Sequence, residues 1–325
     1  GGHEEPSRMH PGRFFVAAGL VLRGMGHAAL ELDLKPRKKA GMLGNFPLTR
    51  PRKAQARAAW GIDLGMSSLK AVRLVKGDNG QLVIDQCGYL STNRQAALRE
   101  GDTAATGILS RVLKKFRETH TIDAAEPLTV SVPNLKLLGR FLRIPRGDRK
   151  QFPQLLEYEM RHRIPYPLDD LCWDHHLVPD EDNSYKEVPR AVLVLAAKQF
   201  EVRRWLAYFD EVEWKVDHVQ SDAVALHNWM RFDRGEEGDS EEDRKHSAVA
   251  LLDVGSDASQ VVVSWPGSLW FRTVAAGGDE VTRALVKSFR LTHEQAEQLK
   301  HRPTRAKRLS PVYEAIEPVN GRDEP

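Results

Sequence analysis

Two stretches of the chain carry the same alternation of apolar and polar positions. The first is Gly61-Ile-Asp63-Leu-Gly65-Met-Ser67-Ser68-Leu-Lys70, which runs on through Ala71–Val75, turns at Gly77-Asp-Asn-Gly80 and returns over Leu82–Leu90. The second opens Val249-Ala-Leu-Leu-Asp253-Val-Gly255-Ser256, continues through Ser259–Ser264, turns at Pro266-Gly267 and returns over Leu269–Val274. Period-two alternation broken by Asn-Gly or Pro-Gly predicts a hairpin in each place. Between the copies, Ile108, Leu109, Val112, Leu113 and Phe116 recur at helical spacing, and Leu128–Val132 reads as a β-branched strand ended by Pro133. The order strand, strand, strand, helix, strand marks an α/β unit.

From about Arg140 the pattern changes. Phe141–Ile144 predicts a strand; Leu156, Met160 and Ile164 share one helical face, and Ile164-Pro-Tyr-Pro167 ends that helix because proline cannot continue it. Cys172–Val178 and the apolar run Arg190–Ala197 predict further strands, followed by a helix over 199–210 and a short strand near Trp214–Val216. This segment, 140–217, is expected to form a small α+β insert. Asp222–Met230 then reads as a helix returning to the first lobe (58–139 with 218–246), and 247–325 as a second lobe ending in the helix Asp279–Phe289.

Composition narrows the picture. A chain of 325 residues with 41% hydrophobic residues can build a packed core, and a net charge of +3 is too small to argue for nucleic acid. Every charged residue from Lys35 to Arg57 is basic, whereas Glu236–Asp243 is almost purely acidic. Residues 1–57 are therefore expected to be a disordered basic leader, with contact to an anionic membrane face as the functional alternative. No run is long enough to cross a bilayer. Phe14–Leu22 faintly resembles the apolar part of a signal peptide, yet Met42 reads as a second start, so residues 1–41 are expected to be an upstream extension. Cys87 and Cys172 lie far apart without ligand spacing, which fits a reducing cytoplasm, and His175-His176 reads as surface or strand histidines.

The candidate chemistry sits at the Asp-x-Gly turns. A nucleoside triphosphate with Mg²⁺ needs backbone donors for phosphate oxygens and carboxylates for the water shell of the metal. Asp63, Gly65, Ser67, Ser68 and Lys70 supply such a set on one lobe; Asp253, Gly255, Ser256 and Ser259 supply most of it on the other. One such turn is common in ordinary hairpins, but two in the same setting point to lobes facing each other across a cleft.

Trp60–Leu74, carrying the first turn, resembles the opening phosphate motif of the actin-like ATPase superfamily, and within it the PilM family of type IV pilus assembly proteins. Met42–Phe46 is similar to that family's usual start, Leu155–Leu168 to its helix ending Ile-Pro-Tyr-Pro, and Val192–Lys198, Gly277–Thr282 and Leu291–Lys300 to further segments. The resemblance implies a two-lobed actin-like (ribonuclease H-like) fold with the insert as its small subdomain, and ATP with Mg²⁺ held through Asp63 and Asp253 by way of water. By motif position Asp222 falls near the attacking water, with Gln220 competing and a plain helix cap as the alternative reading. Gly277-Gly278 would turn amides toward the nucleotide or form a simple turn.

The resemblance also implies a partner, the cytoplasmic N-terminal peptide of a PilN-like inner-membrane protein, in a groove bordered by Ile164–Leu168. One departure weakens the nucleotide reading: Pro311–Val319 looks like the start of a long helix, but the adenosine-holding loop expected after it is missing, so the second lobe is expected to be incomplete and its hairpin to expose apolar surface. Three functions remain open at this point: a cytoplasmic ATP-binding assembly protein at the inner membrane, at most a slow ATPase; a small-molecule kinase of the same fold; and a scaffold without nucleotide.

Overall fold

The computed structural model describes residues 11–36, 56–92, 105–132, 137–145, 150–179, 190–236 and 248–301. The chain divides into two compact units, the first made of residues 1–250 with 262–271 and the second of 251–261 with 272–325.

The first unit is built on a five-stranded sheet of β1 (Ala58–Leu64), β2 (Ser68–Lys76), β3 (Leu82–Ser91), β4 (Leu128–Val132) and β8 (His218–Ser221), ordered β3-β2-β1-β4-β8. β1 is antiparallel to β2 and parallel to β4, which is parallel to β8. One face is covered by α2 (Ala105–Thr119), whose Ile108, Leu109, Val112, Leu113 and Phe116 are buried as their spacing predicts. Phe116 meets Trp60 edge-on with centroids 6.2 Å apart, and a Cβ on Gly88 would come within 2.4 Å of its ring.

The other face is covered by a helix from the segment read as a disordered leader. α1 (Phe15–Met25) buries Val16, Ala17, Gly19, Leu20, Val21, Leu22 and Met25 between β1 and α5 (Asp222–Glu236). Its approach is so close that a Cβ on Gly61 would lie 2.2 Å from the Ala17 carbonyl oxygen, and one on Gly19 would lie 1.8 Å from that of Ala225. The helix ends at Gly26 in the left-handed region (φ 77), and the His27 amide donates to Leu22 O at 2.9 Å.

An extended strap follows. Leu30, Leu32 and Leu34 are buried, the Leu34 amide donates to Val219 O at 2.7 Å, and Gln220 Nε2 donates to the carbonyls of Leu30 (3.2 Å) and Leu32 (3.0 Å). Asn228 holds Leu30 from both sides, accepting from its amide at 2.8 Å and donating to its carbonyl at 3.1 Å. Asp33 anchors the strap: its carboxylate accepts from the Val219 amide (3.0 Å) and the Lys35 amide (3.0 Å), and lies 2.9 Å from His218 Nδ1.

The disordered-leader expectation is thus corrected for residues 11–36; residues 1–10 lie outside the described residues. Small residues in the apolar run let two backbones touch, and Leu30, Leu32 and Leu34 alternate as an edge segment should. Residues 37–55 lie outside the described residues.

The insert forms a second sheet, β5 (Leu137–Ile144), β7 (Arg190–Lys198) and β6 (Leu171–Leu177) in the order β5-β7-β6, all antiparallel. α3 (Phe152–Arg163) seats Leu156 and Met160, with Ile164 beyond its end, against Leu142, Ile144, Val192, Val194 and Ala196. α4 (Gln199–Asp210) follows. The strand expected near Trp214–Val216 is instead a turn segment with Glu213 at φ 56; Trp214 and Val216 are buried there without pairing in a ladder.

The last sheet holds β9 (Val249–Val254), β10 (Ser259–Trp265) and β11 (Ser268–Val274) in the order β11-β10-β9, followed by α6 (Gly278–Phe289) and α7 (His293–His301). The β10–β11 tip belongs to the first unit. His176 Nε2 is 2.9 Å from Gly267 O, Trp265 stacks near Phe141, and Ser264 Oγ is 2.8 Å from His227 Nδ1 on α5. Burial, with the Arg231 charge beside it, holds His227 down at about 3, so the ring is neutral.

Two outcomes follow for the N-terminal segment. Leu20→Ala should lower the stability of the first unit by about 2–5 kcal/mol in urea unfolding, because a fully enclosed side chain leaves a cavity; an unchanged midpoint would restore the disordered leader. Burial alone would raise the Asp33 carboxyl, but the His218 hydrogen bond and charge and the Val219 and Lys35 amides hold it below its usual value. Its folded pKa being depressed, its contribution is complete above the unfolded value of about 3.9 and fades as pH falls through the folded one. The stability gap between wild type and Asp33→Asn, measured by thermal unfolding from neutral pH downward, should shrink in that acid window.

Candidate functional site

The parallel register of the first sheet lines up one end of its strands. Ile62 pairs with Val130 and Val130 with Val219, so Asp63, Ser131 and Gln220 occupy the next row, and Asp222 begins α5 just beyond. The carboxyl ends of parallel strands are where open α/β sheets collect ligands. Asp63 is largely buried there; its Oδ2 accepts from Lys70 Nζ at 2.8 Å, and its Oδ1 is 3.4 Å from the Ser131 hydroxyl. Lys70 is the cross-strand partner of Asp63, so the seven-residue spacing across a tight turn places ammonium against carboxylate.

The turn between them is shaped by Gly65, whose amide donates to Ser68 O at 2.9 Å. Thr92, at the end of β3, fixes the other side: its hydroxyl donates to Met66 O (2.8 Å) and its amide to Ser67 O (2.9 Å). In a trans peptide the N–H points opposite to the C=O. The Ser67 and Ser68 amides therefore point away from Thr92. Thr92 and Ser131 were not foreseen from the sequence; neither lies in the Asp-x-Gly motif, and only the sheet brings them to it.

The second turn repeats the first within its own unit. Gly255 donates to Ala258 O at 3.0 Å, the counterpart of the Gly65 bond, and a Cβ at Gly255 would sit 2.7 Å from that oxygen. Asp253 stands at the end of β9 as Asp63 does in β1, and the Ser259 hydroxyl donates to Ala276 O at 2.6 Å.

Of the two readings open for Gly277 and Gly278, the bonds they make fit the turn. The Gly278 amide donates to Gly255 O and the Asp279 amide to Ser256 O, both at 2.9 Å, and the Glu280 amide returns to Gly277 O. These first-turn amides of α6 are committed to the turn and its own helix, not turned toward a ligand. Gly277 is glycine because a Cβ would stand 2.4 Å from Ser256 O. Beside that helix start, Lys300 Nζ donates to Gly278 O (3.2 Å), Thr282 Oγ1 (2.9 Å) and Glu297 Oε1 (2.6 Å). Burial would raise the Glu297 carboxyl, but hydrogen bonds from Lys300 and Thr282 bring it below its usual value. Glu297 and Lys300 were also missed, although their i,i+3 spacing, each one residue after the apolar Ala296 and Leu299, was visible.

Asp222 is half-buried at the start of α5. The capping reading falls to its neighbour, since the Val224 amide donates to Ser221 Oγ at 3.2 Å. Gln220 is spent on the carbonyls of Leu30 and Leu32, which commits the nitrogen of its amide to the strap.

A family model described as type IV pilus assembly protein PilM matches residues 61–313. The chain belongs to the PilM family. A solved structure described as the PilM-PilN type IV pilus biogenesis complex is similar at a TM-score of 0.60 and 19% identity, over 81% of this chain and 73% of that one. The cytoplasmic domain of EpsL, an inner-membrane component of the type II secretion system of Vibrio cholerae, matches at a TM-score of 0.41 and 11% identity, over 72% of this chain and 77% of that one; so distant a likeness carries no argument. No curated protein matches by sequence. The fold is that of the actin-like ATPases, as the phosphate motif implied. α1 and the strap precede the part matched to PilM.

The donor set of the first turn, a buried carboxylate, an ammonium and two amides turned away from Thr92, fits a phosphate-bearing ligand with a hydrated cation. At the second turn the fit rests on Asp253 and the serines, with the α6 amides already used. Gly277→Ala should push α6 off this turn, costing about 1–3 kcal/mol locally; faster hydrogen exchange at the Gly278 and Asp279 amides, with the first unit unchanged, is the expected readout.

Proposed function

We propose that this PilM-family protein is a nucleotide-binding assembly protein that works at the cytoplasmic face of the inner membrane and docks the N-terminal cytoplasmic peptide of a PilN-like partner. The observation that carries the nucleotide half is the repetition of one turn. Asp63 with Gly65 and Asp253 with Gly255 share the same amide-to-carbonyl closure, a turn of the kind that can meet phosphate oxygens. ATP with Mg²⁺ would supply the anionic chain and the cation that these groups balance. On this reading Lys70 and the Ser67 and Ser68 amides meet phosphate oxygens, and the Asp63 and Asp253 carboxylates take the metal's water. Gly255, Ser256 and Ser259 shape the second turn, and Asp222 orients a water. The same turns serve binding more directly than turnover, so a slow ATPase is the upper limit expected, with nucleotide acting as a conformational ligand.

The partner half rests on family membership and on the described complex of a relative with PilN. The stretch expected to border the peptide is well formed: Ile164 and Leu168 are anchored in the insert core, and Tyr166 is exposed between them, with Lys198 Nζ 4.4 Å from its ring centroid. Among the described residues no helix is long and apolar enough to cross a membrane. Attachment would then come from the partner, with the basic stretch after Lys35 as an added contact to anionic lipid.

A scaffold without nucleotide is the second reading, and two observations favour it: Lys70 and Asp63 already neutralise each other, and the Gly278, Asp279 and Glu280 amides are already satisfied. Thermal unfolding with and without Mg-ATP separates the two. Nucleotide binding predicts a rise in Tm that Asp63→Ala and Asp253→Ala each abolish, while capture of the PilN-like peptide persists in both variants. Peptide capture with no nucleotide shift in the wild type leaves the scaffold; neither response would remove both readings.

A further inference from the structure

The strap, Leu30 to Lys35, crosses the first unit as an extended segment without joining a ladder. Its Leu34 amide bonds Val219 O as a strand would, but side chains hold the rest. Asn228 pairs with both the amide and the carbonyl of Leu30, and Gln220 Nε2 donates to the carbonyls of Leu30 and Leu32. From the insert, Asp174 Oδ2 accepts from the Asp33 amide at 2.9 Å, and Lys35 Nζ donates to Val216 O. Leu30, Leu32 and Leu34 are each enclosed, and the Asp33 carboxylate meets the Val219 amide and His218 Nδ1.

α1 is tied differently. It is sealed on two sides by backbone-to-backbone contact at Gly19 and Gly61, whereas the strap lies in a groove between β8, α5 and β6. Gly26, at φ 77, is the backbone joint between the two segments. Main-chain recognition from a sheet edge, with pockets for alternate side chains, is how proteins receive extended peptides. Here the groove also has a fixed place for one carboxylate.

We propose that this groove is a peptide-binding site filled in cis by the strap, and that a partner's extended segment of the same pattern enters by displacing it. That pattern is large aliphatic residues at three alternate positions, with a carboxylate between the last two. The inference rests on the peptide-docking half of the proposed function and adds the side chains that hold the peptide and the segment that competes with it. Displacement exchanges like contacts for like, so its cost is the proximity that covalent connection gives the strap. The strap is thus an internal competitor that sets how strongly a partner must bind.

Fluorescence anisotropy with a labelled synthetic peptide of residues 28–36 measures the exchange on the full chain. Wild type should bind it weakly. Asp33→Ala loosens the chain's own strap and leaves the groove intact, so this variant should bind the peptide at least about tenfold more tightly. The same peptide carrying Asp33→Ala should lose that gain, and adding Asn228→Ala to the Asp33→Ala protein should abolish binding. Lys35→Met, which removes the bond to Val216 O, should move affinity in the same direction as Asp33→Ala.

Hydrogen exchange separates strap opening from a change of fold. The Leu34 amide should exchange faster in both variants, with the Val21 and Leu22 amides of α1 unchanged. Helix amides that quicken together with Leu34 in both would show strap and helix opening as one, and the proposal would fall. It falls equally if a loosened strap brings no gain in peptide binding, or if binding ignores the peptide carboxylate and Asn228. A PilN-like peptide should compete with the strap peptide on the Asp33→Ala protein. Capture of the PilN-like peptide without competition would overturn this inference and leave the docking function. Strap-peptide binding without PilN-like capture would keep the groove and remove that partner.

Discussion

The contact on which the first unit depends is the meeting of α1 with the sheet and with α5. Two glycines make it: Gly61 lets β1 touch the backbone of α1, and Gly19 lets α1 touch the backbone of α5. A side chain at either place would collide with main-chain atoms that cannot move without carrying a strand or helix along. Asp63 lies two residues beyond Gly61 on β1, and Asp222 opens the helix that Gly19 abuts. The helix at the start of the chain therefore sets the spacing between the elements that hold the candidate carboxylates. The strap continues the work by consuming Gln220, Asn228 and His218, the polar side chains that would otherwise crowd the sheet's edge.

The same motif in the second unit shows what such support does. Both turns close with one glycine amide bonded three residues ahead, yet β1 is buried along nearly its whole length and β9 is buried nowhere. The turn geometry is thus local, carried by Asp-x-Gly and its small neighbours, whereas burial of the strand is a property of what is packed around it.

Much of this was legible in the sequence. The hairpins, α2, the insert's strands and the helix ended by Ile-Pro-Tyr-Pro follow from period and punctuation, and the phosphate motif led to the family. The error at the N-terminus has one cause: the basic charge after Lys35 masks the character of the segment before it. The apolar run Phe15–Met25 has a helix-ending Gly26 and is followed by alternating leucines, which are core signals that composition hides. Thr92, Ser131, Glu297 and Lys300 were not legible, because strand register or helix pairing brings them to the turns from distant positions. Gly277 stayed open between two readings for a subtler reason. Glycine before a helix is compatible with an anion site and with close backbone packing alike, and only the contact with Ser256 separates them.

The ion pair of Asp63 and Lys70 then decides how a ligand could act. Both side chains are largely shielded, so neither charge is cheap to leave alone, and a phosphate that draws Lys70 away must let a cation or its water replace the ammonium at Asp63. Anion and cation would have to arrive together for the exchange to be neutral. That favours a metal-bound phosphate over a free anion, because free phosphate would strand the carboxylate beside Ser131 alone. It also gives the turn two arrangements with similar internal charge balance, Lys70 on Asp63 or Lys70 on ligand. On the proposed reading, such a pair of arrangements is what a nucleotide would select between.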